Sequence, residues 1–355
     1  MKAKIICAFL MAGMMAFVPV LDAPPLWEGV SAADNMPEFS GGQGTETDPW
    51  LISDVDDLLT LAETVNNGDA ASYDAEGTGC GNYFGYYFEQ TADLDLTGVD
   101  WDPIGYSGNC YFSGHYDGGN HYILNAVSDG LQDSSGYSTS GIFGWLYQGS
   151  VENLHVRNAD FQACGNKAYS YVGGISGIVY DATVSNCTVS DSRLESRRDP
   201  DNNNCVGGIA GYSTGGTFIN CGAQNNQVVG MAYAGGFVGE IDDDFGTSKT
   251  SFTCCYVLQT TVTSSSQNVQ DLHYAGGFAG TVTSGSIEAK NCYVYDVQLS
   301  ISAPDNDSYK YGGIWSGGIW EKNSSFTCTN CYYSSCTMTG IEFVWDDDGA
   351  VEKTP

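Results

Sequence analysis

The 355-residue sequence predicts an all-β fold: a right-handed parallel β-helix (β-solenoid) of about six repeats, with irregular N-terminal coils and one amphipathic N-terminal capping helix. Two phrases that recur together are the ground for this. The first is a glycine-framed apolar pair. It stands at Gly141-Ile142-Phe143-Gly144, Gly174-Ile175-Ser176-Gly177, Gly208-Ile209-Ala210-Gly211, Gly236-Phe237-Val238-Gly239, Gly277-Phe278-Ala279-Gly280 and, imperfectly, Gly313-Ile314-Trp315-Ser316. From the second copy onward another glycine precedes it, and the copies advance by 33, 34, 28, 41 and 36 residues. A period of that size with variable insertions belongs to a solenoid, in which each repeat packs only on its neighbours.

The second phrase follows each opener after a polar turn. It runs from Val151 through Asn153 and Leu154 to Val156, and returns around Cys187, Cys221, Cys255, Cys292 and Cys331. Each copy has an apolar or small residue, usually Asn, then Cys (Leu154 in the first copy), then an apolar residue two positions on. The step of two is that of a strand with one buried face. The shift in spacing at Asn marks a bend, because its side chain can bond nearby backbone groups. Stacked copies therefore line up an interior column of Leu154, Cys187, Cys221, Cys255, Cys292 and Cys331, with an Asn column beside it.

In chain order, Lys2 and Lys4 precede an apolar run from Ile5 to about Leu21, and Ser31-Ala32-Ala33 offers a cleavage site. Residues 1–33 are read as an export signal. Residues 34–139 are read as an N-terminal cap with first irregular coils, 140–336 as the repeat solenoid, and 337–355 as a short acidic tail. Within the cap, Val55, Leu58, Leu59, Ala62 and Val65 recur at helical spacing, with Ser53 as the expected cap and Asn66-Asn67-Gly68 as the stop. The stripe predicts a helix at about 54–67 that covers the open first coil.

Twelve basic against forty-three acidic residues leave a net charge of −31. That balance argues against nucleic acid and anionic membrane surfaces as partners, since both need a positive surface. Past the signal, no apolar run approaches the ~20 residues of a membrane span. The mature chain is therefore expected outside the cytoplasm, secreted or at the cell surface.

Thirteen cysteines are present, and export favours disulfides for some of them. Stacked column cysteines lie ~4.8 Å apart with parallel side chains, so they are expected as buried thiols. Cys80 with Cys110 and Cys164 with Cys205 are the candidate bridges. Cys328-x-x-Cys331 has the spacing of half a zinc site or of a redox pair, but no second ligand pair stands nearby and the repeat explains Cys331 structurally.

The four histidines fall in none of the metal or triad spacings. Carboxylate pairs stand at Asp93/Asp95, Asp242–Asp244 and Asp346–Asp348. Two acids on one strand face could serve glycoside chemistry, and Asp runs could hold Ca²⁺. No complete catalytic or calcium-loop motif is present, so no catalytic residue and no cofactor is expected, with Ca²⁺ the one cation in view.

The Gly-Gly-Ile-Ala-Gly and Gly-Gly-Phe-Val-Gly openers resemble the GLUG motif of bacterial and archaeal surface proteins. The resemblance takes in Gly44-Thr-Glu-Thr-Asp-Pro-Trp-Leu-Ile-Ser, Tyr87-Phe-Glu-Gln-Thr-Ala-Asp-Leu-Asp-Leu, Trp101-Asp-Pro-Ile-Gly and Phe112-Ser-Gly-His-Tyr-Asp-Gly-Gly-Asn, and so covers roughly residues 44–333. It implies a secreted or cell-surface parallel β-helix, adhesin-like, with no general catalytic residues to carry over. Ser316 departs from the motif's glycine.

The expected function is non-enzymatic: adhesion or ligand binding through the solenoid loops near 158–171, 190–205, 258–274 and 296–311, with host or neighbouring-cell glycan or protein as partner. The alternatives are a carbohydrate-active β-helix enzyme using acids such as Asp93, Asp95 and Asp117, and a structural spacer in a surface assembly.

Overall fold

The computed structural model describes residues 38–68, 82–163, 169–197, 204–244, 246, 248–265, 272–302, 309–321, 324–344 and 351–352. These residues form an all-β solenoid of about eight turns with one short helix. One repeat of the sequence is one coil. Each full coil crosses five sheets, followed here from the coil that begins at Ser150. Ser150–Glu152 lies in sheet 1, His155–Arg157 in sheet 2, Asp160–Ala163 in sheet 3, Ser170–Gly173 in sheet 4 and Ser176–Tyr180 in sheet 5. Thr183–Ser185 then starts the next coil on sheet 1.

Successive coils pair in parallel and in register. Val151 sits beside Val184, which sits beside Phe218, then Phe252, Ala289 and Cys328. Sheets 1 and 2 each hold nine strands. The ladder is longer than six repeats because Trp50–Ile52, Tyr87–Gln90 and His115–Asp117 already stack on sheet 1, without the glycine opener. Parallel pairing needs only period-2 apolar positions, and Trp50, Phe88 and Tyr116 supply them. Among the described strands, Leu131–Gln132 against Ser138–Ser140 is the antiparallel pair. Past Cys336, the segment expected as a tail adds Thr337–Thr339 to sheet 3, Phe343–Val344 to sheet 4 and Val351–Glu352 to sheet 2.

Corners are made by residues in the left-handed region. Asn153, Asn186, Asn220, Asn291 and Asn330 have φ of 53–55°, and Cys254 takes the same corner at 56°. Asn tolerates this conformation because its short amide bonds locally. Here the amides also bond one another up the stack: Asn186 Nδ2 donates to Asn153 Oδ1 at 3.1 Å, and Asn220 Nδ2 to Asn186 Oδ1 at 2.8 Å. A second corner column five residues on holds Asn125, Asn158, Asp191, Asn225, Gln259, Asp296 and Ser335, all at positive φ.

The opener glycines answer a different demand, close backbone approach. A Cβ on Gly208 would stand 2.1 Å from the Gly236 carbonyl oxygen, and one on Gly239 would stand 2.5 Å from that of Gly211. The sixth opener is shifted by one residue from its expected alignment. Gly276 pairs with Gly313 and Ala279 with Ser316, so Gly317, not Ser316, fills the last glycine slot. A Cβ there would meet the Gly280 carbonyl at 2.3 Å.

Inside, the apolar residues of the two phrases meet. Phe237 stacks on Phe278 at 4.8 Å, Phe218 on Phe252 at 5.1 Å, and the two stacks meet edge to face. Edge-to-face contact is the favoured arrangement for ring quadrupoles.

The helix α1 spans Val55–Asn66 and buries Leu58, Leu61, Ala62 and Val65. Its N-cap is Asp54 rather than Ser53: Asp54 accepts from Asp57 N at 3.0 Å. Asp57 in turn accepts from Ser53 N, Ser40 N and Ser40 Oγ, which fixes the entry of the chain. Asn66 ties the far end to the first coils through Pro103 O and Gly105 N.

Candidate functional site

Sheet 2 presents its outer face to solvent. In register along it lie Tyr122, His155, Thr188, Gly222, Tyr256, Tyr293 and Tyr332. The last three form a tyrosine row. The Tyr256 and Tyr293 rings lie 5.3 Å apart at 14°, close to parallel. Tyr293 is 40% exposed, Tyr332 36%, and Tyr295, two residues along the same strand, 43%. Gly222 is part of the construction, because a Cβ there would fall 2.0 Å from Tyr256 Cζ. The missing side chain lets the Tyr256 ring lie down over the preceding coil. Side chains on one face of a strand otherwise stand away from the sheet.

Around the adjoining corner is a groove of about 370 Å³ lined by Asp191, Ser192, Arg193, Asn225, Asn226, Gln227, Gln259 and Thr261. Its walls are amides, hydroxyls, the Asp191 carboxylate and Arg193, whose guanidinium pairs with Glu195 and, at 3.5 Å, with Asp160. Gln259 belongs to the same coil as Tyr256. Rings and hydrogen-bonding groups thus lie on neighbouring parts of one surface, a combination suited to a ligand with both apolar faces and hydroxyl edges.

The column Leu154, Cys187, Cys221, Cys255, Cys292 and Cys331 lies inside the corner between sheets 1 and 2, all buried. The five thiols carry no disulfide. Cys221 Sγ lies 3.3 Å from both Val184 O and Ile219 O, and its neighbours bond similarly. Burial pushes the Cys221 and Cys255 thiols up, so they stay protonated and behave as small apolar groups. Cys80 and Cys164 lie outside the described residues, so neither candidate bridge is described. Cys110 is half-buried, and Cys205 donates its thiol to Glu240 Oε2 at 3.0 Å.

The acids singled out from the sequence do not converge. Asp93 accepts from Tyr122 N at 2.9 Å and His121 at 3.1 Å, and the backbone bond above all holds it below the usual carboxylate range. Asp95 accepts from Thr97 and Asn125 and is lowered by them in that order. Asp117 staples Gly119 N and Asn153. All three serve as turn carboxylates, and Asp93 and Asp95 are held ionised. Asp243 likewise binds Gly215 N and Thr250, and Asp346–Asp348 lie outside the described residues. Among the described residues no three His, Cys, Asp or Glu side chains gather as metal ligands. Parts of the long loops near 164–168, 198–203, 266–271 and 303–308 also lie outside the described residues.

The buried acid Glu240 is not legible as a site from the sequence. Sheets 4 and 5 fold toward each other, so that every residue of Ser176–Tyr180, Ala210–Thr214 and Val238–Asp242 is buried. Their outer side chains meet in this elbow: Tyr171 with Tyr212 at 5.4 Å, and Cys205 with Glu240. The one signal in the sequence is a charged residue in a slot that other coils fill with Trp145, Ile178, Tyr212 and Thr281.

One solved structure among the relatives shares this architecture. Residues 168–193 match the family model described as the GLUG motif. A stretch of 161 residues, 44% of this chain, is 30% identical to a candidate Gly-rich membrane protein of Evansella cellulosilytica. The match spans 16% of that relative's length. Among solved structures, a candidate immunoglobulin A1 protease from Bacteroides ovatus aligns over 84% of this chain and 80% of its own, with a TM-score of 0.57 and 20% identity. A second structure, an IgA1 protease, aligns over 85% of this chain and 21% of its own, with a TM-score of 0.49 and 14% identity. The protein is a β-solenoid bearing the GLUG motif. No helix among its described residues is long and apolar enough to cross a membrane.

Proposed function

We propose that this is an exported, surface or secreted β-helix that binds a neutral, extended glycan without chemistry, on the outer face of sheet 2. The observation behind this reading is the in-register row Tyr256, Tyr293 and Tyr332 with Tyr295 beside it, Tyr256 half-buried and the other three exposed, where other coils place Thr188 and Gly222. Contiguous exposed rings mark interaction surfaces, and tyrosine offers an apolar body with a polar tip. Coils repeat at ~4.8 Å, close to the length of one sugar ring in an extended chain, so successive rings can meet successive sugars. The net charge of −31 disfavours acidic polysaccharides and nucleic acid. Recognition then falls on a sheet face, with the groove at Asp191, Asn225 and Gln259 as a hydrogen-bonding flank.

The test is a glycan and matrix-protein array on the purified chain, with and without Ca²⁺, assayed also for released sugar and for cleavage of immunoglobulin A1. Saturable glycan binding without product, weakened in Tyr293→Ala, is expected. Product release would overturn the non-enzymatic reading, and binding to protein alone would overturn the glycan assignment. Silence in every channel would leave a structural spacer.

A further inference from the structure

Glu240 stands in the elbow between sheets 4 and 5 and is 4% exposed. Its carboxyl is shared by three successive coils. Oε2 meets Cys205 Sγ of the preceding coil at 3.0 Å, and Oε1 meets Thr283 Oγ1 of the following coil at 2.6 Å. The strands packed against it are Ser170–Gly173, Asn204–Gly207, Ala210–Thr214, Tyr233–Gly235 and Ala279–Ser284. None of them contains Lys, Arg or His. The titratable groups they turn toward the elbow are Tyr171, Cys205, Tyr212 and Tyr233. On Glu240's own strand the titratable neighbour is Asp242, another acid, 5% exposed and bonded to Ser284.

Among the described residues packed against it there is no cation, so a carboxylate here would be buried unpaired and beside a second acid, an arrangement that costs far more than a neutral, hydrogen-bonded carboxyl. The neutral form fits: it can donate to one of Cys205 and Thr283 and accept from the other. We propose that Glu240 is a proton-binding clasp. Protonated, it joins three coils across the elbow; on losing its proton it loosens the coil that runs on from Val238–Asp242 to Tyr256.

Burial, above all, pushes the Glu240 carboxyl up to about 7, against the hydrogen bonds to Thr283 and Cys205, which lower it, with Asp242 adding to the rise. An acid that holds its proton more tightly folded than unfolded stabilises the fold fully below the ordinary carboxylate range. That stabilisation is lost as pH rises toward and through about 7. The direction is opposite to that of Asp93 and Asp95, whose lowered values favour the fold as pH rises.

The experiment uses the full chain and Glu240→Gln, with thermal midpoints followed from pH 5 to 8 and side-chain carboxyl carbons followed by NMR. The amide variant keeps the shape and cannot ionise. A carboxyl titrating near neutrality in the wild type and missing from Glu240→Gln is expected. The wild-type midpoint should also fall by about 5 °C relative to the variant between those pH values. Asp242→Asn should lower the pH of the Glu240 step, and it supplies the titration readout if Glu240→Gln does not fold. Parallel midpoint profiles, or a Glu240 carboxyl that titrates in the ordinary carboxylate range, would overturn the proposal.

Discussion

The inner and outer sides of the turn from sheet 1 into sheet 2 share one backbone and one register, yet they obey different rules. Inside, the column from Leu154 to Cys331 accepts only residues of similar size and no charge, because stacked neighbours and carbonyls bound its volume. Outside, one position further along the chain, the column runs His155, Thr188, Gly222, Tyr256, Tyr293 and Tyr332, with no common size or polarity. Packing restrains the inside, and solvent leaves the outside free to carry a binding surface. A run of rings on the unrestrained side is therefore informative about function, whereas the cysteines on the restrained side are informative about the fold.

The sharpest way to break this contrast is on the inside. Phe252 lies fully buried among Phe218, Phe237 and Phe278. Phe252→Ala should cost about 3–5 kcal/mol in denaturant unfolding, through lost transfer energy and a cavity that rigid coils cannot close. A cost below about 1 kcal/mol, the central value for point mutants, would show that the coils relax independently. A smaller effect is expected at the corner that separates the two sides. Asn220→Val puts a β-branched residue at φ 54° and removes one rung of the amide ladder. It should cost about 1–2 kcal/mol by the left-handed penalty, with Asn220→Gly recovering most of it. Equal costs for Val and Gly would assign the effect to the amide bond instead.

The outside should respond least in stability and most in binding. Tyr293→Ala is expected to change unfolding free energy by about 0.5 kcal/mol or less, as for other surface positions, while weakening glycan binding about tenfold, equivalent to ~1.4 kcal/mol. Calorimetry of the two chains against one glycan that binds the wild type separates these outcomes. A Tyr293→Ala chain that loses stability but keeps its affinity would turn the tyrosine row into a packing ladder and remove the contrast between the two sides.

Much of the fold is legible in the order of the residues. The opener and the second phrase each mark one passage of the chain around the coil, and the asparagine slot marks a corner whose backbone requires a special residue. The coils built around Trp50, Phe88 and Tyr116 look irregular in sequence because they lack the glycines, although pairing in a ladder depends on buried alternation and not on the motif. The tyrosine row can be named from the sequence only residue by residue. Tyr293 and Tyr332 each stand one position past an inward cysteine of the second phrase, but the way Tyr256 lies over Gly222 depends on two coils being in register.

By itself, the sequence determined that the chain stacks parallel coils, because each repeat exposes an apolar face that only its neighbour can cover. It also determined the small interior column and the positions of the polar corners, both local consequences of side-chain size and backbone conformation. The tertiary structure decided what depends on residues from different coils and sheets. It folds sheet 5 against sheet 4, burying Glu240 between Cys205 and Thr283 from the coils on either side. It also aligns Tyr256, Tyr293 and Tyr332 on one exposed face. Neither placement is visible along the chain, because the interacting groups lie a full coil apart in sequence and meet only when the coils stack.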